Sequence, residues 1–153
     1  MNVTIRPAGL ADTDDIADLL PELASFEVPE RRNPKDLWIG DLATLKRWVA
    51  GLEPNCMVHV AVFEGQVVGF TMVSLREELL SHEPSAHLEA IAVAESARGA
   101  GVGRELLNNA ETMAKAQGAL SMTLHVFGNN TTARAVYRNH GYDEELIRAS
   151  KLL

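Results

Sequence analysis

Leu88-Glu89-Ala90-Ile91-Ala92-Val93-Ala94-Glu95-Ser96-Ala97-Arg98-Gly99-Ala100-Gly101-Val102-Gly103-Arg104 carries a strand-like apolar run through a short turn into three glycines and an amphipathic helix. Glycines at 99, 101 and 103 let the main chain curl so that successive N–H groups point into one concave space. The helix N-terminus adds partial positive charge to that space. The product is an anion cradle, and a phosphate is the guest it suits best. Arg98 and Arg104 bring positive charge to its rim. The competing reading is that these glycines only permit a tight strand-to-helix turn.

Two familiar phosphate sites fail against the spacing. A dinucleotide fingerprint needs a third glycine three positions after the second. Counting from Gly99 and Gly101 puts Arg104 there, and counting from Gly101 and Gly103 puts Leu106 there. The following strand closes on Val126-Phe127-Gly128, with no acidic residue to take a ribose. A P-loop needs Gly-Lys-Ser or Gly-Lys-Thr, and the chain has neither.

Working outward, Val3 to Pro7 alternates and stops at a proline, which predicts a short first strand. Asp12-Thr13-Asp14-Asp15 offers oxygens to cap a helix carrying Ile16, Leu19, Leu20, Leu23 and Phe26, with a kink or break at Pro21. An irregular stretch from Glu27 to Gly40 precedes a second helix over Leu42 to Val49. Met57–Phe63 and Val67–Leu75 read as strands joined by Glu64-Gly65-Gln66, and His87–Ala94 as a fourth strand. Gly101 to Gln117 is the strongest helix, stopped by Gly118. Leu120–Phe127 follows as a fifth strand and Thr131–His140 as a short helix, and the tail beyond Tyr142 is expected to pair back onto the sheet. The predicted fold class is α/β, with helices flanking a single mixed sheet.

Composition bounds the possibilities. The 153 residues suit one domain spanning residues 1–153 and bury about two-thirds of the unfolded surface without a staple. Fourteen basic against 21 acidic residues give a net charge of −7, which repels polyanions and argues against nucleic-acid binding. The single cysteine, Cys56, lies among apolar neighbours and reads as a buried thiol. His82 and His87 lack a third partner at a metal spacing, so no metal is expected. The stretch MNVTIRPAGL lacks the charged start and apolar core of a signal peptide and no run approaches the length needed to span a bilayer, so the expected location is cytoplasmic, without membrane partners.

The block Arg98-x-x-Gly101-x-Gly103, preceded by Ile91-Ala92-Val93, resembles the acetyl-CoA signature of the GNAT N-acetyltransferase superfamily. A second block downstream agrees: Asn130-x-x-Ala133-x-x-x-Tyr137-x-x-x-Gly141-Tyr142. Ala100 stands where a long basic or polar residue is frequent in that family, and Tyr142 stands for the commoner phenylalanine. The resemblance implies a mostly antiparallel sheet splayed between strands 4 and 5. It implies acetyl-CoA as co-substrate and transfer of the acetyl group to a primary amine by direct attack in a ternary complex. The acceptor is a small-molecule amine or a protein amine, and homodimers are common in the family. By the match, Ile91, Ala92 and Val93 hold the pantetheine arm, Arg98, Gly99, Ala100, Gly101, Val102, Gly103 and Arg104 hold the pyrophosphate, and Asn130 contacts the arm or its adjacent backbone.

An amine of pKa ~10 must lose a proton before it attacks a thioester, and the departing thiolate must regain one. Tyr137 matches the family's general acid and also contacts the cofactor; its other reading is a core tyrosine on the Ala133-Val136-Tyr137-His140 stripe. Glu89 is the candidate base, placed by strand alternation on one face with His87, Ile91 and Val93. Its other readings are a structural carboxylate or a bystander to a water relay. His125 reads as packed or solvated, with the cleft as the other place it could face. An alternative from another class is a catalytically silent acyl-CoA-binding sensor, which would keep the cradle but need neither Tyr137 nor an acceptor cleft.

Overall fold

A proline that cannot donate to a ladder ends the first strand, β1 (Thr4–Pro7), at the sheet edge. The computed structural model describes every residue from Met1 to Leu153. Helices α1 (Thr13–Leu19) and α2 (Ile39–Val49) precede strands β2 (Cys56–Phe63), β3 (Gln66–Glu77) and β4 (Pro84–Val93). Helix α3 (Val102–Ala116), strand β5 (Met122–Leu124) and helix α4 (Thr131–Asn139) complete the order. The five strands lie in sequence order, antiparallel except for β4 with β5, which are parallel. Glu64 and Gly65, both at positive φ (49° and 79°), close the β2–β3 hairpin as a two-residue turn.

Pro21 ends α1 as predicted: the helix stops at Leu19 and the chain tightens into a 3₁₀ turn over Leu20–Ala24. Asp12 does not cap it. Its carboxylate instead takes two bonds from the Arg6 guanidinium (2.7 and 2.9 Å) and one from the Gly9 N–H (2.7 Å), which holds its pKa below the usual carboxylate range.

One face of the sheet buries Phe70, Met72, Val58, Val60, Ala90 and Ala92 under α1 and α2. The other packs Val73, Ala86, Leu88, Val68 and partly buried Ile91 and Val93 against α3. Membership of β4 in these two layers switches partway along the strand. Met72 pairs with Ala90 and Val73 with Leu88, so Glu89 is an extra residue, a β-bulge. This corrects the expectation from simple alternation. Ala86 and Leu88 face α3 before the bulge, whereas Ile91 and Val93 face it afterwards. Glu89 therefore does not share their face.

Strand β5 is shorter than the expected Leu120–Phe127. It pairs with β4 only through Ala86–Met122, His87–Thr123 and Leu88–Leu124, and beyond Leu88 the two strands part. The tail also departs from expectation: residues 143–153 form no strand. Their apolar residues come as adjacent pairs, Leu146-Ile147 and Leu152-Leu153, so neither face would be apolar in an extended strand. Ile147 is 97% exposed. Glu144 is instead held to α4 by the Arg134 fork (2.8 Å to each oxygen).

Gly69 fixes how closely α3 approaches the β3–β4 ladder. A Cβ there would lie 2.9 Å from Leu106 Cδ1 and 3.0 Å from the Ala92 carbonyl oxygen. Gly69→Ala should destabilise the fold by about 1–3 kcal/mol through overpacking, measured by urea unfolding; an unchanged midpoint would show that α3 yields freely.

Candidate active site

The gap opened where β4 and β5 part is lined by main chain. Ala94 N donates to Val68 O (2.7 Å), so alternation turns the polar groups of Ala92 toward β3 and those of Ile91 and Val93 toward the gap. Of the three residues expected from sequence to hold the arm, Ile91 and Val93 offer free backbone to the gap and Ala92 supports it from within the ladder.

Directly after β4, a 3₁₀ turn over Glu95–Ala97 leads into the glycines. Gly99 and Gly101 lie at φ 75° and 82°, a left-handed conformation costly for most residues. Gly101 is the N-cap of α3 and supplies no side-chain cap. None of the backbone N–H groups from Gly99 to Arg104 bonds to another group of the chain. Six donors thus converge at the positive end of a fifteen-residue helix, an arrangement that suits a multiply charged anion. Gly103 lies beside Val93, its ideal Cβ position 3.8 Å from Cγ2, which joins the cradle to the end of the open strand edge. Arg104 is exposed beside the cradle. Arg98 is turned away, its guanidinium bonded to Glu22 and to the Ser25 hydroxyl (3.0 Å).

On the α3 side, Tyr137 packs with Tyr142 (ring centroids 6.0 Å apart) against the layer that holds Leu88, Ile91 and Leu124. Its hydroxyl has no partner in the chain, and burial raises its pKa, so it stays protonated at neutral pH. Tyr142 donates to Glu111 Oε2 (3.1 Å), which His140 Nε2 also approaches at 3.1 Å. Asn130 caps α4, its side-chain oxygen accepting from Ala133 N (3.3 Å).

On the opposite side of the fork, Glu89 lies 3.8 Å from Arg76 Nη1. His87, 4% exposed, bonds through Nδ1 to the Thr123 hydroxyl (2.7 Å) and meets His125 edge-on at 4.8 Å. Burial, with the Arg76 charge and His125 behind it, pushes His87 down to about 4. Phe26 meets Phe127 at 5.6 Å across this end. Cys56 is buried, and burial aided by the charges of Glu53 and Glu89 pushes its thiol up to about 11, so it is no nucleophile at neutral pH.

Sequence reading missed Asp41. The sequence places the irregular stretch up to Gly40 and the second helix from Leu42, so this residue falls between them, whereas α2 starts at Ile39. Asp41 then falls on the stripe of Trp38, Leu42, Leu45 and Trp48 that packs against the core. Burial and the neighbouring Glu89 carboxylate raise its pKa to about 6. A carboxylate at helical spacing on an apolar stripe was the available signal.

His87 should remain an uncharged imidazole throughout the neutral range. A ¹⁵N-resolved titration should place its midpoint near 4; a midpoint at the ordinary value of about 6.5 would mean that the fork is more open than described. Because its folded-state value is depressed, acidification below about 6.5 favours the unfolded chain, and His87 should contribute to lost stability as the pH falls toward 4.

No helix of the chain is long and apolar enough to cross a membrane. Residues 15–142 match the acetyltransferase (GNAT) family. The chain is 30% identical over 143 residues to the uncharacterized N-acetyltransferase YhfO of Bacillus subtilis, covering 94% of this chain and 91% of that protein. Its fold matches that of a putative acetyl transferase from Pyrococcus furiosus (TM-score 0.80, 23% identity, 99% and 100% of the two chains). It also matches the aminoglycoside N-acetyltransferase AAC(6')-Iy in complex with CoA (TM-score 0.75, 20% identity, 98% and 95% covered). With its strand fork and glycine cradle, the chain belongs to the acetyltransferase (GNAT) family and is an N-acetyltransferase.

Proposed function

We propose that the protein carries the acetyl group of acetyl-CoA directly to a primary amine, both substrates being bound together and no acetyl-enzyme being formed. The observation that carries this reading is continuity: the open edge of β4 at Ile91 and Val93 runs straight into the unpaired amides of Gly99 to Arg104. A ligand spanning both needs an extended amide-bearing arm at one end and a diphosphate at the other. Coenzyme A has that form, and the fold shared with a CoA-bound aminoglycoside N-acetyltransferase supports it.

In this reading Ile91 and Val93 hydrogen-bond the arm, Ala92 holds the strand in register, and Asn130 fixes the start of α4 beside it. Gly99, Ala100, Gly101, Val102, Gly103 and Arg104 bind the diphosphate through main chain, so the loss of a long side chain at Ala100 matters little. Arg104 supplies the positive charge; Arg98 instead ties the cradle to the turn after α1. Tyr137, kept protonated by burial, gives its proton to the departing sulfur. Glu89, re-aimed by the bulge toward the α2 side, takes the proton from the attacking amine. The absence of a thiolate at Cys56 favours direct transfer over a covalent relay.

Tyr137→Phe should lower turnover by about 100-fold with an amine acceptor while acetyl-CoA affinity, read by calorimetry, changes less than about twofold. Equal turnover would remove Tyr137 from the proton path. Gly101→Asp, which inserts a carboxylate at the N-cap, should weaken acetyl-CoA binding by at least about tenfold with the fold intact by circular dichroism. Undiminished binding would move the diphosphate elsewhere.

A further inference from the structure

Resting on Tyr137 as the proton donor of the transfer reading, we infer that Glu111 on α3 is its positioning residue: Glu111 fastens the closing turn of α4 to α3 and so holds Tyr137 against the fork. Two side chains from that turn meet the same carboxyl oxygen. Tyr142 donates its hydroxyl to Glu111 Oε2 at 3.1 Å, and His140 brings Nε2 to 3.1 Å from it. Their rings stack with centroids 6.3 Å apart, so the two reach Glu111 side by side.

Main chain carries the constraint from those two residues to Tyr137. The Tyr137 carbonyl accepts from His140 N (3.1 Å) and from Tyr142 N (3.0 Å), while Gly141 N donates to Arg138 O (3.1 Å). Gly141, at φ 98°, supplies the left-handed residue that this Schellman ending requires. Tyr142 also lies edge-on to the Tyr137 ring, with centroids 6.0 Å apart. A shift of the turn relative to α3 therefore reaches Tyr137 twice, through its carbonyl and through its ring.

Burial alone gives α4 little hold. None of its residues is buried, and Val136 is 48% exposed. The arginines of the helix turn elsewhere: Arg134 bonds to Gly128 O (2.7 Å) and to Glu144, which Arg138 also approaches. Beyond the two contacts with Glu111, no side chain of α4 or its closing turn makes a polar contact with another helix or with a strand. Tyr142 stands where the resembling family commonly has phenylalanine. Phenylalanine would supply the same ring for packing on Tyr137, so packing explains the ring and the bond to Glu111 explains the added oxygen.

The test reads Tyr137 both with and without substrates. With tyrosines labelled at ¹³Cζ, Tyr137 in the unaltered protein should titrate above the ordinary value of about 10, because burial disfavours its phenolate. Glu111→Ala should bring that midpoint back toward about 10 and lower turnover with an amine acceptor at least about tenfold. Acetyl-CoA affinity should change less than about twofold, which also reports an intact fold. Glu111→Gln, whose amide oxygen still accepts from Tyr142, should keep turnover within about threefold. In a Tyr137→Phe background, Glu111→Ala should cost less than about a further twofold, since its effect passes through the missing hydroxyl. Tyr142→Phe, which removes only the bonded oxygen, should move the Tyr137 midpoint in the same direction and takes over the test should Glu111→Ala lose acetyl-CoA affinity. A Tyr137 midpoint indifferent to these substitutions, or an undiminished effect of Glu111→Ala in the Tyr137→Phe background, overturns the inference. Full turnover in Tyr137→Phe alone would instead strike the transfer reading, while the ¹³Cζ titration, which needs no substrate, still decides whether Glu111 places Tyr137.

Discussion

The single extra residue in β4 organises everything around it. Without a bulge at Glu89, the residues that face α3 in the first half of the strand would be followed by Ala90 and Ala92 on that same face. Ile91 and Val93 would then point at α1 and α2. With the bulge, small residues meet the tightly packed α1–α2 layer, and branched ones meet α3. The same local twist falls next to the place where β5 ceases to follow β4. Side-chain packing and the opened main-chain edge therefore change at the same point of β4, and Glu89 sits where they meet.

Opposite sides of the fork differ in their electrostatics. Tyr137 lies among apolar groups on the α3 side, where burial disfavours the charged phenolate and preserves a donor. Carboxylates, a guanidinium and a neutral imidazole occupy the α2 side. The sheet thus keeps the protonated Tyr137 phenol apart from the charged side chains around Glu89. The overall charge of −7 adds a long-range bias that favours cationic visitors, yet the cradle still suits an anion because its donors are backbone dipoles, which a negative surface does not neutralise.

How much of this the sequence disclosed depended on the range of the signal. The cradle was legible because a run of glycines has few other uses, and the strongest helix because its stripe spans four turns. The break at Pro21 and the hairpin at Glu64-Gly65 were legible because each follows from the conformation of one or two residues. The bulge was not, since Ala-Ile-Ala-Val reads as a strand in either phase and only the partner strand reveals the skipped residue. Asp12 had the chemistry of a helix cap but was claimed by Arg6, six residues earlier and across the turn. The expected return of the tail to the sheet fails because its adjacent apolar pairs, Leu146-Ile147 and Leu152-Leu153, give an extended strand no apolar face.

Helices α3 and α4 begin in opposite ways, and the contrast bears on what each start is for. At α4, Asn130 turns its side-chain oxygen onto Ala133 N and so satisfies one of the amides that every helix leaves free. At α3 the equivalent position is Gly101, which has no side chain to offer, and it follows Gly99 in the same left-handed conformation. Replacing a capping side chain by glycine costs a helix only a few tenths of a kcal/mol, so stability places little pressure on the choice. A capping oxygen at 101, however, would occupy the amides of the first turn and place negative charge at their centre. The longer helix, with the larger claim to a cap, is the one left bare. That inversion is intelligible if the first turn of α3 is shaped to receive its acceptor oxygens from outside the chain.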